Sequence, residues 1–275
     1  MEQSVIFIKD IVKVFRDKYS LGVPCSKQLI HIFPLIERYE NVKVKLIKKP
    51  FSSKGLFGFI GYKYKQFVIV INTNKSLGAQ NFTLAHEIYH LLHQREEIKK
   101  NTFIDSENGK ELLKEKLADL FAIELLMPEE EFKLSVSDIL NKDANALINT
   151  DIIKLQNYYG VDYIAITKRL LELKMITEIK YTELNTIRDK GEALELLTKQ
   201  LGLSVSLNNA TNEYFLSDKV LEVIKSNYDT DKITYDDLVT IFYWLDQNPE
   251  QYGYVRYQNP DQDVKDFIND MFGED

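Results

Sequence analysis

The chain has a single cysteine, Cys25, so it cannot close an intrachain disulfide. Nothing in it asks for an oxidising compartment, and the cytoplasm is the expected location. No uncharged run approaches the ~18 residues that a membrane helix needs, so no membrane is expected as a partner. Glu2, Lys9 and Asp10 interrupt the apolar N-terminus, which does not read as a signal peptide. A basic stripe is also lacking, and with it the electrostatic footprint of a strong nucleic-acid binder. The net charge of −7 is unevenly spread: Asp246 to Asp275 carry eight acidic and two basic side chains, leaving the rest close to neutral. The acidity is therefore a local property of a solvated C-terminus. Internal repeats and long low-complexity tracts are absent. What remains is an ordinary soluble composition, 44% hydrophobic and 28% charged, in 275 residues, enough for one large or two modest domains.

Apolar residues at Val5, Ile8, Ile11, Val12 and Phe15 recur at a helical period and predict a helix over 4–19. A second helix is expected over 26–38, bent or shortened by Pro34. The alternation from Val42 to Ile47 reads as a half-buried strand. Two further strands, 56–62 and 66–72, are expected to flank a turn at Lys63-Tyr64-Lys65. Helices over 79–94 and 110–127 follow, joined by a polar segment, and Pro128 ends the second. Two more helices, 151–159 and 163–174, surround Gly160. Helical segments are expected near 183–201, 218–228, 235–247 and 264–271. The fold class expected is α+β: a small antiparallel sheet packed with helices, followed by a mainly helical C-terminal region. The expected division is 1–135, 136–180 and 181–275, with nothing to fix an oligomeric state.

Three of the four histidines lie in the stretch Phe82-Thr-Leu-Ala-His-Glu-Ile-Tyr-His-Leu-Leu-His93. On a helix His86 and His90 project from one face, about 6 Å apart along the axis, and two imidazoles so placed can share one zinc ion. Glu87 points about 100° around the helix, where it reaches the metal's water without being a ligand and can act as general base. His93 sits one turn beyond His90, and a straight helix carries it away from an ion held by the first pair. His31, alone in an apolar run, reads as a structural residue. The third ligand is expected from the next helix, where Glu115 and Asp119 again stand four apart. The small residues Ala118 and Ala122 would let the two helices approach closely. Glu115 would complete a two-histidine, one-glutamate site. Asp119 would accept a hydrogen bond from the free nitrogen of a ligand histidine. Glu111 and Glu124 are rivals to Glu115 on similar grounds.

These two stretches together, Phe82 to His93 and Glu115-Lys-Leu-Ala-Asp-Leu-Phe-Ala-Ile-Glu-Leu-Leu-Met-Pro128, resemble the ImmA/IrrE family of metallo-endopeptidases. The resemblance covers about 41–131 well and 151–177 more loosely. It implies a compact gluzincin-like fold, zinc held by His86, His90 and Glu115, and Glu87 as general base. It also implies cleavage of a helix-turn-helix repressor, relieving repression of a mobile element or a stress response. One departure is visible: Tyr89 stands where family members commonly have glycine. The donor that would stabilise the oxyanion is left open among His93, Tyr62 and Tyr64.

Asp151 to Thr177 has the look of a helix-turn-helix, with Lys168 and Arg169 on its second helix. Its acidic and basic residues nearly balance, so a helical pair packed on the peptidase is favoured over direct DNA binding. Beyond Tyr181 no chemical motif emerges. The aspartates of 228–238 make a poor calcium loop. Thr234 with Asp237 reads as a helix cap, and 239–245 as core. The rival to a peptidase is a non-catalytic, metal-containing regulator that binds a repressor or antitoxin partner directly.

Overall fold

A computed structural model of the chain describes residues 2–53, 55–100, 109–188, 192–216, 218–244 and 247–256. The helix expected at 264–271 lies outside them. The chain divides into two compact units, 1–215 and 216–275. Residues expected to form the peptidase and the helical pair after it both fall in the first. Among the described residues no helix is long and apolar enough to cross a membrane.

The first unit is α+β, as the sequence pattern implies. Helix α1 (Glu2–Tyr19) buries Ile8, Val12 and Phe15. The expected second helix breaks at Pro34: a 3-10 turn, Leu29–His31, precedes α2 (Phe33–Glu40). Strands β1 (Val44–Lys49), β2 (Gly58–Lys63) and β3 (Gln66–Asn72) then form a sheet, joined at its far edge by the two-residue β4 (Phe215–Leu216). The order is β2-β3-β1-β4.

The sheet is mixed, which corrects one part of the expectation. β2 and β3 form the anticipated antiparallel hairpin, with Lys63 opposite Gln66. Tyr64 and Lys65 both take positive φ in its two-residue turn, the geometry that matches strand twist. β1, however, pairs parallel with β3, Val44 opposite Phe67. Burial accounts for the strand order, and because β2 lies between β1 and β3 in sequence the chain has length enough to bring β1 beside β3 in parallel. β3 is the most apolar strand and takes the centre, with Phe67, Ile69 and Ile71 at 2% exposure or less. β1, alternating with lysines, takes the next place.

Helix α3 (Leu77–His93) starts at Ser76, whose hydroxyl accepts from the Ala79 amide at 3.2 Å. A short α4 (Arg95–Lys100) occupies part of the segment expected to be only polar linker. α5 (Gly109–Leu126) packs on both α3 and α1. Ala118 and Ala122 are fully buried there, as their small size suggested. Phe121 is also buried, with Phe15 and Tyr89 each at 5.5 Å between ring centroids. The glycine-to-tyrosine departure is thus absorbed by packing: Tyr89 fills space against α5. Helix α6 (Glu129–Leu140) begins straight after Pro128, where only a boundary was expected.

The helical pair, α7 (Asn149–Tyr159) and α8 (Tyr163–Glu172), is fastened to α3 at the turn between its helices. Gly160 caps α7 with φ 69°, a conformation glycine adopts without strain. Its carbonyl accepts from Asn81 Nδ2 at 2.7 Å. Gly78, in the first turn of α3, comes so close to that turn that a Cβ would lie 2.2 Å from the Asp162 nitrogen. Arg169 ties the other end of α8 down. Its guanidinium donates to the Met127 carbonyl at 2.9 and 3.1 Å and to Glu124 at 2.5 Å, and it is 8% exposed.

Two shorter helices, α9 (Glu178–Asn185) and α10 (Ala193–Gln200), replace the single helix expected over 183–201. The second unit contains α11 (Asp218–Asp229) and α12 (Tyr235–Trp244), packed through Ile224, Leu238 and Phe242. Thr234 and Asp237 form the anticipated reciprocal cap, each side chain accepting from the other's amide. The run 239–245 is core only in part: Phe242 is buried, but Tyr243 is 83% exposed.

Because the atoms facing Gly78 are backbone, they cannot swing aside. Gly78→Ala is expected to lower stability by on the order of 2 kcal/mol or more, a drop of several degrees in melting temperature. Gly61→Ala, whose added carbon meets nothing within 4 Å, should change it by less than about 0.5 kcal/mol. Equal melting curves for the two variants would show that the turn is not locked onto α3.

Candidate metal centre

His86 and His90 share one face of α3, and α5 brings Glu115 up to both. The three offer ligand atoms that all lie within 4.8 Å of one another. Glu115 Oε2 stands 3.1 Å from His86 Nε2, and Oε1 stands 3.5 Å from His90 Nε2. The two Nε2 atoms face each other at 2.9 Å.

The outer nitrogens of the two rings determine what this contact means. Asp119 Oδ1 lies 2.9 Å from His86 Nδ1, and Gln94 Oε1 lies 2.9 Å from His90 Nδ1. Both partners are acceptors, so each Nδ1 carries the hydrogen. In neutral rings both Nε2 atoms are then bare lone pairs, and the Glu115 carboxylate adds another acceptor. Three acceptors with no donor among them repel unless a positive charge lies between them. A proton can supply that charge, and so can a divalent cation. Two imidazole nitrogens and one carboxylate oxygen form a donor set that suits a zinc-like ion and leaves coordination positions open.

Electrostatics agree with this reading. Burial alone would lower the His86 pKa, but hydrogen bonding to Asp119 and Glu115 and the charge of Glu87 carry it up to about 9. Hydrogen bonds from His86 and His90 hold the Glu115 carboxyl well below the usual range. Burial pushes the Glu87 carboxyl up, against the pull of His90 and His86. Glu87 is 6% exposed and His90 4%, whereas the side chains of Glu115 and Asp119 are 42% and 52% exposed.

The structure therefore brings together His86, His90, Glu115 and Asp119, with Glu87 buried on the same helix. Glu124, a rival to Glu115, is engaged elsewhere with Arg169 and the Glu129 amide. The Glu111 side chain lies outside the described residues. His93 is exposed and packs on Tyr89 at 4.7 Å, outside the group. His31 is exposed on its 3-10 turn. Of the three oxyanion candidates, Tyr62 packs on Phe67 and Tyr64 is 83% exposed at the hairpin tip. The residue that sequence reasoning missed is Gln94. It stands four after His90, a spacing that marks it as a partner for that ring just as the spacing of Glu115 and Asp119 marks theirs.

Comparison with known proteins agrees with this location. The family model for the IrrE N-terminal-like domain, Peptidase_M78, matches residues 39–171, which include every residue of the group. Among solved structures the chain is similar to a Mycobacterium tuberculosis transcriptional regulator, at 17% identity and a TM-score of 0.40. That match covers 62% of this chain and 46% of the other, so the chain spans less than half of its length. No curated protein matches.

A His86 pKa near 9 means that the metal-free ring is protonated at neutral pH. Coordination needs the Nε2 lone pair, so the proton must leave. Zinc uptake is expected to release about one proton per ion near neutral pH, and the apparent affinity should rise with pH up to about 9 and then flatten. Calorimetry in two buffers of different ionisation enthalpy measures the release. Uptake without proton release would contradict the assignment of His86.

Proposed function

Through residues 39–171 the chain belongs to the IrrE N-terminal-like peptidase family, and on that premise we propose that it is a zinc-dependent endopeptidase of the cytoplasm. Its proposed substrate is a helix-turn-helix transcriptional repressor, whose cleavage relieves repression of a mobile element or a stress response. The observation that carries the reading is the convergence of His86 Nε2, His90 Nε2 and the Glu115 carboxylate on one point, with a buried Glu87 one residue from the first.

His86, His90 and Glu115 would hold the ion, and the ion supplies Lewis acidity to the attacking water and to the scissile carbonyl. Asp119 and Gln94 keep both rings in the tautomer that leaves Nε2 free. The Glu87 carboxylate receives the proton of the attacking water and passes it to the departing amine. Burial suits it to both tasks, because a poorly solvated carboxylate binds a proton readily and a neighbouring positive charge restores its tendency to release one.

The DNA-binding alternative has less support. Arg169, one of the two cations that suggested it, is buried and committed to Met127 and Glu124. Lys168 is exposed, but so is Glu172 on the same helix, so the exposed charges of α8 balance and it presents no basic face. Glu87→Gln preserves shape and charge-free hydrogen bonding while removing the base. It is expected to keep the metal and to lose cleavage by a factor of ~10² to 10⁴. The assay is co-incubation with a candidate helix-turn-helix repressor, such as one found encoded next to this chain, read by mass spectrometry. Should Glu87→Gln lose cleavage yet leave the biological effect unchanged, a non-catalytic, metal-containing regulator that binds a repressor or antitoxin partner directly would be the better reading.

A further inference from the structure

The metal-bearing faces of α3 and α5 do not end at the metal. Reading away from His90, α3 presents His86, then Phe82, then Gly78; α5, running the opposite way, presents Glu115, Asp119, Ile123 and Met127 in step. A cavity of about 330 Å³ lies along this continuation, with Asp119 at the metal end and Phe82, Ile123 and Met127 among its walls. Another wall comes from α8, through Ile164, Ala165 and Lys168, with Phe57 and the turn residue Val161 also lining the cavity. A cavity of ~150 Å³ with apolar walls accommodates benzene, so this one has room for the largest apolar side chains.

Resting on the peptidase reading, we propose that α8 is the specificity wall of the peptide site: Ala165, with Ile123 opposite, selects a large apolar residue next to the scissile bond. Continuity identifies the occupant. A peptide whose carbonyl lies at the His86–His90–Glu115 centre has its neighbouring side chains within a residue's length of Asp119, and Asp119 is where the cavity begins. The walls are mainly apolar; of the charged residues that line them, Arg169 and Asp162 are held by Glu124, the Met127 carbonyl and the Ala165 amide, and the exposed Lys168 and Glu172 of α8 are of opposite sign. A leucine, methionine or phenylalanine is favoured over a charged residue. The helical pair then has a role that needs no DNA. Its fastening through Gly78, Asn81 and Arg169 holds a substrate-binding wall in register with the metal helices.

The test compares two hydroxamates that differ only in the side chain beside the metal-binding group, isobutyl against methyl, titrated calorimetrically into the zinc-loaded full chain. Burying three further carbons at about 0.8 kcal/mol each should make the isobutyl compound bind roughly 60-fold more tightly. In Ala165→Phe, which fills the cavity, the ratio should fall to near one. Ile123→Phe provides the same test from the opposite wall should the first variant fail to fold, with melting curves checking both. A ratio near one in the wild-type chain, or a ratio unmoved in the folded variants, overturns the pocket while leaving the metal centre standing. Failure of both compounds to bind overturns the metal reading and the pocket with it.

Discussion

Two ring nitrogens facing each other at 2.9 Å, with a carboxylate against both, make an arrangement that gains nothing by itself. With both rings neutral every atom at the meeting point is an acceptor, and a polar group left unpaired on burial costs ~1–3 kcal/mol, so a proton on His86 or a cation must lie between them. The rings cannot rotate away without breaking the bonds of Asp119 and Gln94 to their outer nitrogens. The site therefore stores a demand for positive charge, and the packing of α3 on α5 enforces it. Ala118 and Ala122 permit the close approach, while Phe121, between Phe15 and Tyr89, supplies the apolar area that holds the helices there.

The same logic extends to the helical pair. A helix-turn-helix pattern in a sequence records only two amphipathic helices and a tight turn, which many folds need for packing alone. Here the turn is spent on α3, through Gly78 and Asn81, and Arg169 of the second helix is spent on the Met127 carbonyl and on Glu124. Arg169 satisfies the Met127 carbonyl just past the end of α5, a group otherwise left without a helical partner. A residue so used is structural, however suggestive its charge appeared in isolation.

How much of this was legible in the sequence follows from how local each feature is. The spacings His86–His90 and Glu115–Asp119 are helical repeats, and their consequences can be worked out without knowing the fold. Gln94 was equally local and was passed over because it is neutral; its role is visible only once the ring of His90 is oriented. The parallel pairing of β1 with β3 depends on the order in which strands assemble, which no local pattern encodes. Helix α6 was hidden by Pro128, a residue that ends one helix but is equally at home before the first turn of the next. The close approach at Gly78 was invisible too, since a glycine inside a helix gives no sign of what its missing side chain makes room for.

The distribution of exposure within the centre explains why such a cluster can be built at acceptable cost. Removing an ion from water costs several kcal/mol, far more than removing a neutral ring. The most deeply placed of the residues that could hold a metal is a histidine, His90 at 4% exposure, whereas the Glu115 and Asp119 side chains remain about half in solvent. Within this group the carboxylates of Glu115 and Asp119 thus stay partly hydrated while His90 is buried. Glu87 is the exception, a buried carboxyl whose pKa burial raises. That cost cannot be explained by stability, for a glutamine would fill the same volume without it. Under the proposed peptidase reading that cost has a use, since a buried carboxyl beside His86 and His90 can take up a proton and release it again.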